Sequence, residues 1–179
     1  MFAIGIDLGG TFIKAGVVDD AGNILIKGAR PTGVERGHEA TIRDMAGLSL
    51  ELVEKCGLTL QDIDSVGIGI PGVIDDRGVV PLLTNLFWHD VKLIERMRAY
   101  IDKPVFVAND ATVAGFAESI AGVSKGTRSS VLLTLGTGLG GGVVIDGKRF
   151  VGAHGVGSEV GHMLLVLVGI RCTCGNRGC

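Results

Sequence analysis

The chain has 179 residues, of which 46% are apolar, 20% charged and 4% aromatic. This composition excludes a disordered chain, and the length suffices for one or two globular domains with a real hydrophobic core. The formal net charge is −2, from 17 basic and 19 acidic residues. Because there is no surplus of Lys and Arg to neutralise phosphates or anionic lipids, we expect neither nucleic acid nor a membrane as partner.

No export or membrane segment is predicted. The first strand begins within two residues of Met1, with no charged leader or cleavage site before it, so we expect a cytoplasmic protein. The uncharged stretch Ser129–Ile145 approaches the length of a membrane span, but its five glycines argue against a membrane helix.

The first part of the chain predicts a β-meander followed by alternating helices and strands, which is the pattern of an α/β fold. The meander strands are Phe2–Leu8, Thr11–Val18 and Asn23–Gly28. They are followed by a helix at His38–Cys56, a strand at Ser65–Ile70 that ends at Pro71-Gly72, a helix at Val91–Ile101, a strand at Pro104–Ala108 and a helix at Ala111–Ala121. With few aromatic residues, Val, Ile, Leu and Ala must build the core, as in a buried sheet flanked by helices.

The opening pattern recurs from Ser130 onwards. Strands are predicted at Val131–Leu135, Gly142–Ile145 and Arg149–Val151. Ile6–Thr11 aligns with Leu133–Gly138, and each segment is followed by a strand and an acidic-Gly turn. We infer an internal duplication with two lobes, an α/β lobe at residues 1–126 and the start of a second lobe at residues 127–179.

Two glycine-rich turns are the first candidate binding elements. The second matches the dinucleotide-binding fingerprint as a string, but a hairpin, not a helix, is predicted after it, so we reject that interpretation. Without side chains, the backbone N–H groups of such turns can approach an anion closely, and two turns facing each other would clamp a polyphosphate. For either turn alone, a tight hairpin also explains the glycines. The residues concerned are Gly9, Gly10 and Thr11 in the first turn and Gly136, Thr137, Gly138 and Gly140 in the second.

Three cysteines cluster at the end of the chain. Cys172, Cys174 and Cys179, with His162 ten residues before the first of them, provide a Cys₃His set suited to tetrahedral structural zinc. In a reducing compartment such a cluster favours a metal over a disulfide, and thiolates favour zinc over magnesium. The alternative is that the cysteines cluster by chance.

Five motifs occur in a fixed order along the chain. They are Asp7-Leu8-Gly9-Gly10-Thr11 with Lys14, Asn109-Asp110-Ala111, Leu135–Gly142, Glu159-Val160-Gly161-His162 and Cys172–Cys179. In this order they resemble the ROK family of sugar kinases and repressors, most closely its bacterial glucokinases, over essentially the whole chain. The resemblance implies the actin-like ATPase (ribonuclease H-like) fold, with sugar and ATP bound between two lobes.

The resemblance implies an ATP-dependent hexose kinase that phosphorylates the primary hydroxyl of glucose. Alternatives are a kinase for an N-acetylated hexosamine, mannose or fructose, or an inactive fragment that binds sugar and zinc. ATP, Mg²⁺ and structural Zn²⁺ are the implied cofactors. A repressor would need a DNA-reading helix-turn-helix ahead of the first strand, where only Met1 stands, so we do not expect one.

The resemblance also assigns roles to the sugar-facing residues. Asp110 is implied as the general base, Asn109 as a ligand of a sugar hydroxyl, and Glu159 and His162 as sugar contacts. Gly72 is implied to bring its backbone near the sugar. From sequence alone, Asn109 or Asp110 equally suits the N-cap of the following helix.

Asp7 and Lys14 are implied as nucleotide-binding residues. Asp7 lies in a strand predicted to be buried, where a carboxylate is costly unless it meets a cation such as the Mg²⁺ of ATP. The alternative for Asp7 is a turn cap, and for Lys14 a solvated strand lysine.

The chain departs from the family pattern in two places. It ends at Cys179, whereas family members continue for a further lobe's worth of sequence, so we expect a fragment or a truncated product. Leu164–Ile170 is more apolar than the polar loop usual before the cysteine motif, and we expect it either to pack in the core or to mark altered local structure. The family's usual homodimer is implied, although the sequence indicates no interface.

Overall fold

The computed structural model describes residues 1–136, 138–153, 155–172 and 174–179. They divide into two units, Met1–Asp110 and Ala111–Cys179, each of which is described by itself. In this division residues 111–126 group with the second unit, and the lobes at 1–126 and 127–179 stay a prediction.

All predicted strands and helices are present, with ends shifted by at most three residues. The strands are β1 (Phe2–Leu8), β2 (Phe12–Asp19), β3 (Ile24–Pro31), β4 (Ile63–Ile70), β5 (Val80–Leu83), β6 (Trp88–Val91), β7 (Val105–Asn109), β8 (Ser130–Leu135), β9 (Leu139–Ile145) and β10 (Lys148–Arg149). The helices are α1 (Gly37–Lys55), α2 (Leu93–Tyr100) and α3 (Asp110–Ala121).

The first unit is built on a five-stranded sheet of order β3-β2-β1-β4-β7. The predicted meander is confirmed, because β2 pairs antiparallel with both β1 and β3. β1, β4 and β7 run parallel, with Asp7 opposite Gly69 and Ile70 opposite Asn109. The carboxyl ends of these three strands therefore meet at one edge of the sheet.

The core of the first unit lies between one face of this sheet and α1. Successive strand side chains point to opposite faces, so Ile4, Ile6 and Leu8 are buried while Gly5 and Asp7 are exposed. The predicted burial of Asp7 is wrong: its side chain is 53% exposed, because it lies on the face opposite Ile6 and Leu8.

A hairpin of β5 and β6 is present that the sequence patterns do not predict. Its Trp88 is 1% exposed and is one of the largest fully buried side chains among the described residues. The hairpin therefore contributes to the core of the first unit rather than forming a loose loop.

The second unit contains α3 and a three-stranded sheet of order β10-β9-β8. Both predicted glycine hairpins are present, because β8 and β9 pair antiparallel across a glycine turn as β1 and β2 do, and the internal duplication stays a prediction. Ser129–Ile145 is thus mainly a hairpin, and no helix in the described part of the chain is long and apolar enough to span a membrane. Leu164–Ile170 does not pack in the core, since its apolar side chains are between 57% and 89% exposed.

Candidate functional site

Asn109 and Asp110 lie where a strand passes into a helix. Asn109 is the last residue of β7 and Asp110 the first of α3, and both are half-buried. The predicted strand-to-helix junction is confirmed. Because β1, β4 and β7 are parallel neighbours, this junction lies at the sheet edge where ligands bind in open α/β sheets.

Gly72 lies at the same edge, two residues beyond β4. A Cβ atom here would collide with the side chain of Leu83 at the end of β5. The close approach of the Leu83 side chain favours glycine at this position, and the predicted contact of its backbone with a sugar stays a prediction.

The first glycine turn joins β1 to β2. The Gly9 N–H donates to the Phe12 carbonyl at 3.0 Å, and a Cβ atom at Gly9 would lie 3.0 Å from that same oxygen. Gly10 is exposed, and nothing among the described residues would meet its Cβ within 4 Å. Gly9 is thus required by the turn, whereas Gly10 marks the place where a ligand can approach the backbone.

Thr32, the residue after β3, donates two hydrogen bonds to carbonyl groups of this turn. It is fully buried, its hydroxyl donates to the Gly9 carbonyl at 2.7 Å and its N–H donates to the Thr11 carbonyl at 2.9 Å. The sequence patterns do not single out Thr32. Its hydroxyl bond spans 23 residues, so no local spacing could have indicated the contact.

Asp7 and Lys14 form a pair across β1 and β2. Lys14 Nζ lies 3.4 Å from Asp7 Oδ2, and the side chains are 66% and 53% exposed. Within the described residues, the polar contact of Asp7 is therefore the Lys14 ammonium rather than the backbone of the turn. An exposed pair of this kind stabilises the fold little, and both groups stay accessible to a ligand.

The second glycine turn joins β8 to β9. Leu135 pairs with Leu139, and the Gly136 N–H donates to the Gly138 carbonyl at 2.9 Å. At Gly136 and Gly138 a Cβ atom would meet no described atom within 4 Å. Open space thus surrounds both glycines, as an anion-binding turn requires. The predicted contribution of Thr137 lies outside the described residues.

Gly140 and Gly142 have a packing role. A Cβ at Gly140 would lie 2.5 Å from Thr134 Oγ1 and 2.9 Å from Ala111 Cβ, and one at Gly142 would lie 2.5 Å from the Ala111 carbonyl. These glycines let α3 lie directly on β9. Packing accounts for the glycine at position 140, and its contact with nucleotide stays a prediction.

His162, Cys172, Cys174 and Cys179 converge as the spacing predicts. Their ligand atoms all lie within 4.8 Å of one another, with Cys172 Sγ 3.7 Å from His162 Nδ1 and Cys174 Sγ 3.7 Å from Cys179 Sγ. Tetrahedral zinc, with bonds of about 2.3 Å to sulfur and about 2.1 Å to nitrogen, separates its ligands by roughly 3.6–3.8 Å. The residues therefore fit a structural zinc ion.

The thiols of the cluster differ in acidity. The backbone N–H of Cys174 and the neighbouring thiols lower the pKa of Cys172 to about 6. Desolvation and the adjacent thiols raise the pKa of Cys179 to about 11. The cluster thus favours a thiolate at Cys172, the form that binds a metal.

Glu159 directly precedes a single 3₁₀ turn, Val160–His162, and the N–H of His162, the last residue of the turn, donates to the Glu159 carbonyl at 3.1 Å. Glu159 directly precedes the turn with a non-helical ψ of 56°, so the common face of the two residues stays a prediction. His162 directs Nδ1 at Cys172, which leaves Nε2 on the far side of the ring free of the thiol cluster. One imidazole can therefore serve a metal and a sugar hydroxyl together.

Comparison with known proteins identifies related sequences and structures. The model of the ROK family matches residues 3–179. A glucokinase from Thermotoga maritima is 42% identical over 178 residues, which cover 98% of this chain and 55% of that protein.

Two solved structures superimpose on essentially the whole chain. The ROK hexokinase from Thermus thermophilus has a TM-score of 0.88 at 37% identity and is covered to 58% of its length. The ROK family glucokinase from Streptomyces griseus, in complex with glucose and AMPPNP, has a TM-score of 0.87 at 37% identity and is covered to 55%. The present chain thus spans about half the length of the relatives that it matches.

Proposed function

This chain belongs to the ROK family, and we propose from that premise that it phosphorylates glucose with ATP, forming glucose 6-phosphate and ADP. The observation that carries the proposal is the position of Asn109 and Asp110 at the carboxyl edge of the sheet, the same edge at which β1, separated from β7 by β4, leads into its glycine turn. The glucose and AMPPNP bound to the Streptomyces griseus relative support both substrates.

In the proposed reaction Asp110 is the general base. Its carboxylate accepts the proton of the primary hydroxyl as that oxygen attacks the γ-phosphorus of ATP, and ADP leaves. Asn109 binds a neighbouring hydroxyl through its amide and so fixes the position of the sugar. A half-buried carboxylate directly after a strand, at the first residue of a helix, suits this role, because phosphoryl transfer depends mainly on positioning.

The phosphates are proposed to meet the open glycines. The exposed backbone at Gly10 in the first unit and at Gly138 in the second offers N–H groups that a side chain would otherwise cover, whereas open space at Gly136 leaves room for the ligand. Lys14 would contribute positive charge, and Asp7 would hold the Mg²⁺ that accompanies ATP. The exposed position of this pair suits groups that must exchange a protein partner for a substrate.

His162, Cys172, Cys174 and Cys179 are proposed to hold zinc, which would act structurally by cross-linking the turn. Its effect on the reaction is indirect, because the Nδ1 contact fixes the ring of His162 and aims Nε2 outward. Glu159, three residues before His162, is proposed as the second sugar ligand of this segment.

The test measures ADP release by the purified 179-residue chain with ATP, Mg²⁺ and a panel of hexoses. We expect turnover with glucose, and a loss of at least about a hundredfold in Asp110→Asn, since general-base catalysis contributes that much. Asp64→Asn is the matched control, because it removes an exposed carboxylate from β4 of the same unit.

Binding measurements separate the parts of this proposal. Glucose and Mg·AMPPNP are titrated into the wild-type chain and into Asp110→Asn, which should bind AMPPNP unchanged. Turnover that survives in Asp110→Asn would refute the base assignment. Preferred turnover of another hexose would replace glucose as substrate, and absence of both glucose and nucleotide binding would refute the kinase proposal for this chain.

A further inference from the structure

We propose that Thr32 is a positioning residue that holds the first glycine turn in the conformation that binds the phosphates of ATP. The inference deepens the proposed function and rests on its assignment of this turn to the nucleotide. Thr32 itself is fully buried and so cannot touch the ligand. It acts through the Gly9–Gly10 peptide.

The orientation of that peptide follows from the Thr32 hydroxyl. The hydroxyl donates to the Gly9 carbonyl at 2.7 Å, which points this oxygen inward to a buried group. In a planar trans peptide the N–H points opposite to the C=O, so the N–H of Gly10 points outward. Within the described residues this N–H donates to no acceptor, and open space surrounds Gly10.

The Thr32 backbone forms a second hydrogen bond with the turn, on the other side of Gly10. Its N–H donates to the Thr11 carbonyl at 2.9 Å, so Thr32 fixes carbonyls on both sides of Gly10. With two of its carbonyls fixed, the turn cannot rotate the Gly10 N–H inward without breaking a buried hydrogen bond. Such preorganised donors act without reorganisation when the anion arrives.

A second contact anchors Thr32 to α1. The guanidinium of Arg36 donates to the Thr32 carbonyl at 3.0 Å and forms an ion pair of 2.7 Å with Asp44 in the helix. All three polar groups of Thr32 are therefore engaged, two with the turn and one with Arg36. The turn is thus tied to α1, a rigid element of the first unit, rather than to another loop.

The test compares Mg·AMPPNP binding by wild type, Thr32→Val and Thr32→Ser, followed at the Gly10 amide signal of isotope-labelled protein. Thr41→Val is the matched control, because Thr41 is also a buried threonine of this unit whose hydroxyl donates to a glycine carbonyl, that of Gly37 at 3.1 Å. Thr41 lies in α1 and its hydroxyl bonds within that helix rather than to the turn.

We expect Thr32→Val to weaken AMPPNP binding about tenfold, the effect of one hydrogen bond, and to shift the Gly10 amide signal of the free protein. Thr32→Ser keeps a hydroxyl and should bind within about twofold of wild type, as should Thr41→Val. Glucose affinity should be unchanged in all three variants. An effect on AMPPNP alone distinguishes a changed glycine turn from a general loss of stability, which would weaken the binding of both ligands.

Wild-type AMPPNP binding that persists unchanged in Thr32→Val would overturn this inference and leave the proposed nucleotide site intact. Equal losses in Thr32→Val and Thr41→Val would also overturn it, because a general loss of stability would then explain both. If the wild-type chain bound AMPPNP with no change at Gly10, the assignment of the turn would fail, and the inference with it.

Discussion

Lys14 forms a weak ion pair with another residue of the chain, and we assign its charge to the phosphates of ATP. Its 3.4 Å pair with Asp7 is exposed, and such pairs contribute less than about 1 kcal/mol to stability. We therefore expect Lys14→Gln to leave the unfolding midpoint in denaturant almost unchanged. Because the lost ammonium would otherwise neutralise phosphate charge, AMPPNP affinity should fall about tenfold at low salt, with a smaller loss at high salt.

Lys55→Gln provides the comparison for Lys14. Lys55 also pairs with a carboxylate on the surface of the first unit, Glu51 at 2.6 Å, but along α1 and away from the glycine turn. Its substitution should leave AMPPNP affinity unchanged. Equal nucleotide binding by the Lys14 and Lys55 variants would show that Lys14 is only a solvated strand lysine.

At the scale of elements, the β8–β9 hairpin divides its glycines between binding and packing. Gly138→Ala places a methyl group in open space, so it should preserve stability while lowering AMPPNP affinity. Gly140→Ala forces a methyl group against Thr134 and Ala111, which should cost about 1–3 kcal/mol in the free energy of unfolding. Denaturant unfolding and AMPPNP titration of both variants check the division, and a destabilised Gly138→Ala would contradict it.

The hairpins also show which elements can be predicted from the sequence. β1 and β2 alternate clearly and meet at a glycine pair, so their positions follow from local pattern. The β5–β6 hairpin lacks such a pattern, because Pro81 lies within β5 and the connecting turn has Phe87, with a φ of 54°, where glycine is the usual residue. Burial of Trp88 in the core of the first unit stabilises this hairpin, and the core residues around it come from distant parts of the sequence.

Over the whole molecule, the predictable part of the site is the part that local spacing determines. The cysteines converge because their ligand atoms come from one short segment with His162 close before it. The exposure of Asp7 depends on which face of the sheet α1 covers. The hydrogen bond from the Thr32 hydroxyl to the Gly9 carbonyl joins residues that are 23 positions apart. The alternation of β1 does place Asp7 on the face opposite Ile6 and Leu8, but contacts distant in the sequence determine which face is covered and which group Thr32 meets.

The last residues of the chain should fold only with metal bound. Met163–Ile170 buries little apolar surface, and the segment is held mainly by backbone bonds such as Leu165 N–H to the Gly178 carbonyl at 2.8 Å. A segment without a core draws its stability from the metal, whose binding free energy becomes folding free energy. We expect about one zinc per chain by elemental analysis, and removal by a chelator should expose this segment to protease.

Trypsin cleavage measures that exposure at two arginines. Arg171 lies directly before Cys172, and Arg177 lies between Cys174 and Cys179. Cleavage at both arginines should accelerate after zinc is removed by a chelator, and also in Cys179→Ser. Added zinc should slow cleavage again in the chelated wild-type protein but not in Cys179→Ser. Arg43 on the surface of α1 is the internal control, because the first unit has its own buried core and should resist cleavage throughout. Equal cleavage of zinc-loaded and zinc-free protein at Arg171 would refute a structural role for the metal, since the backbone bonds alone would then hold the segment.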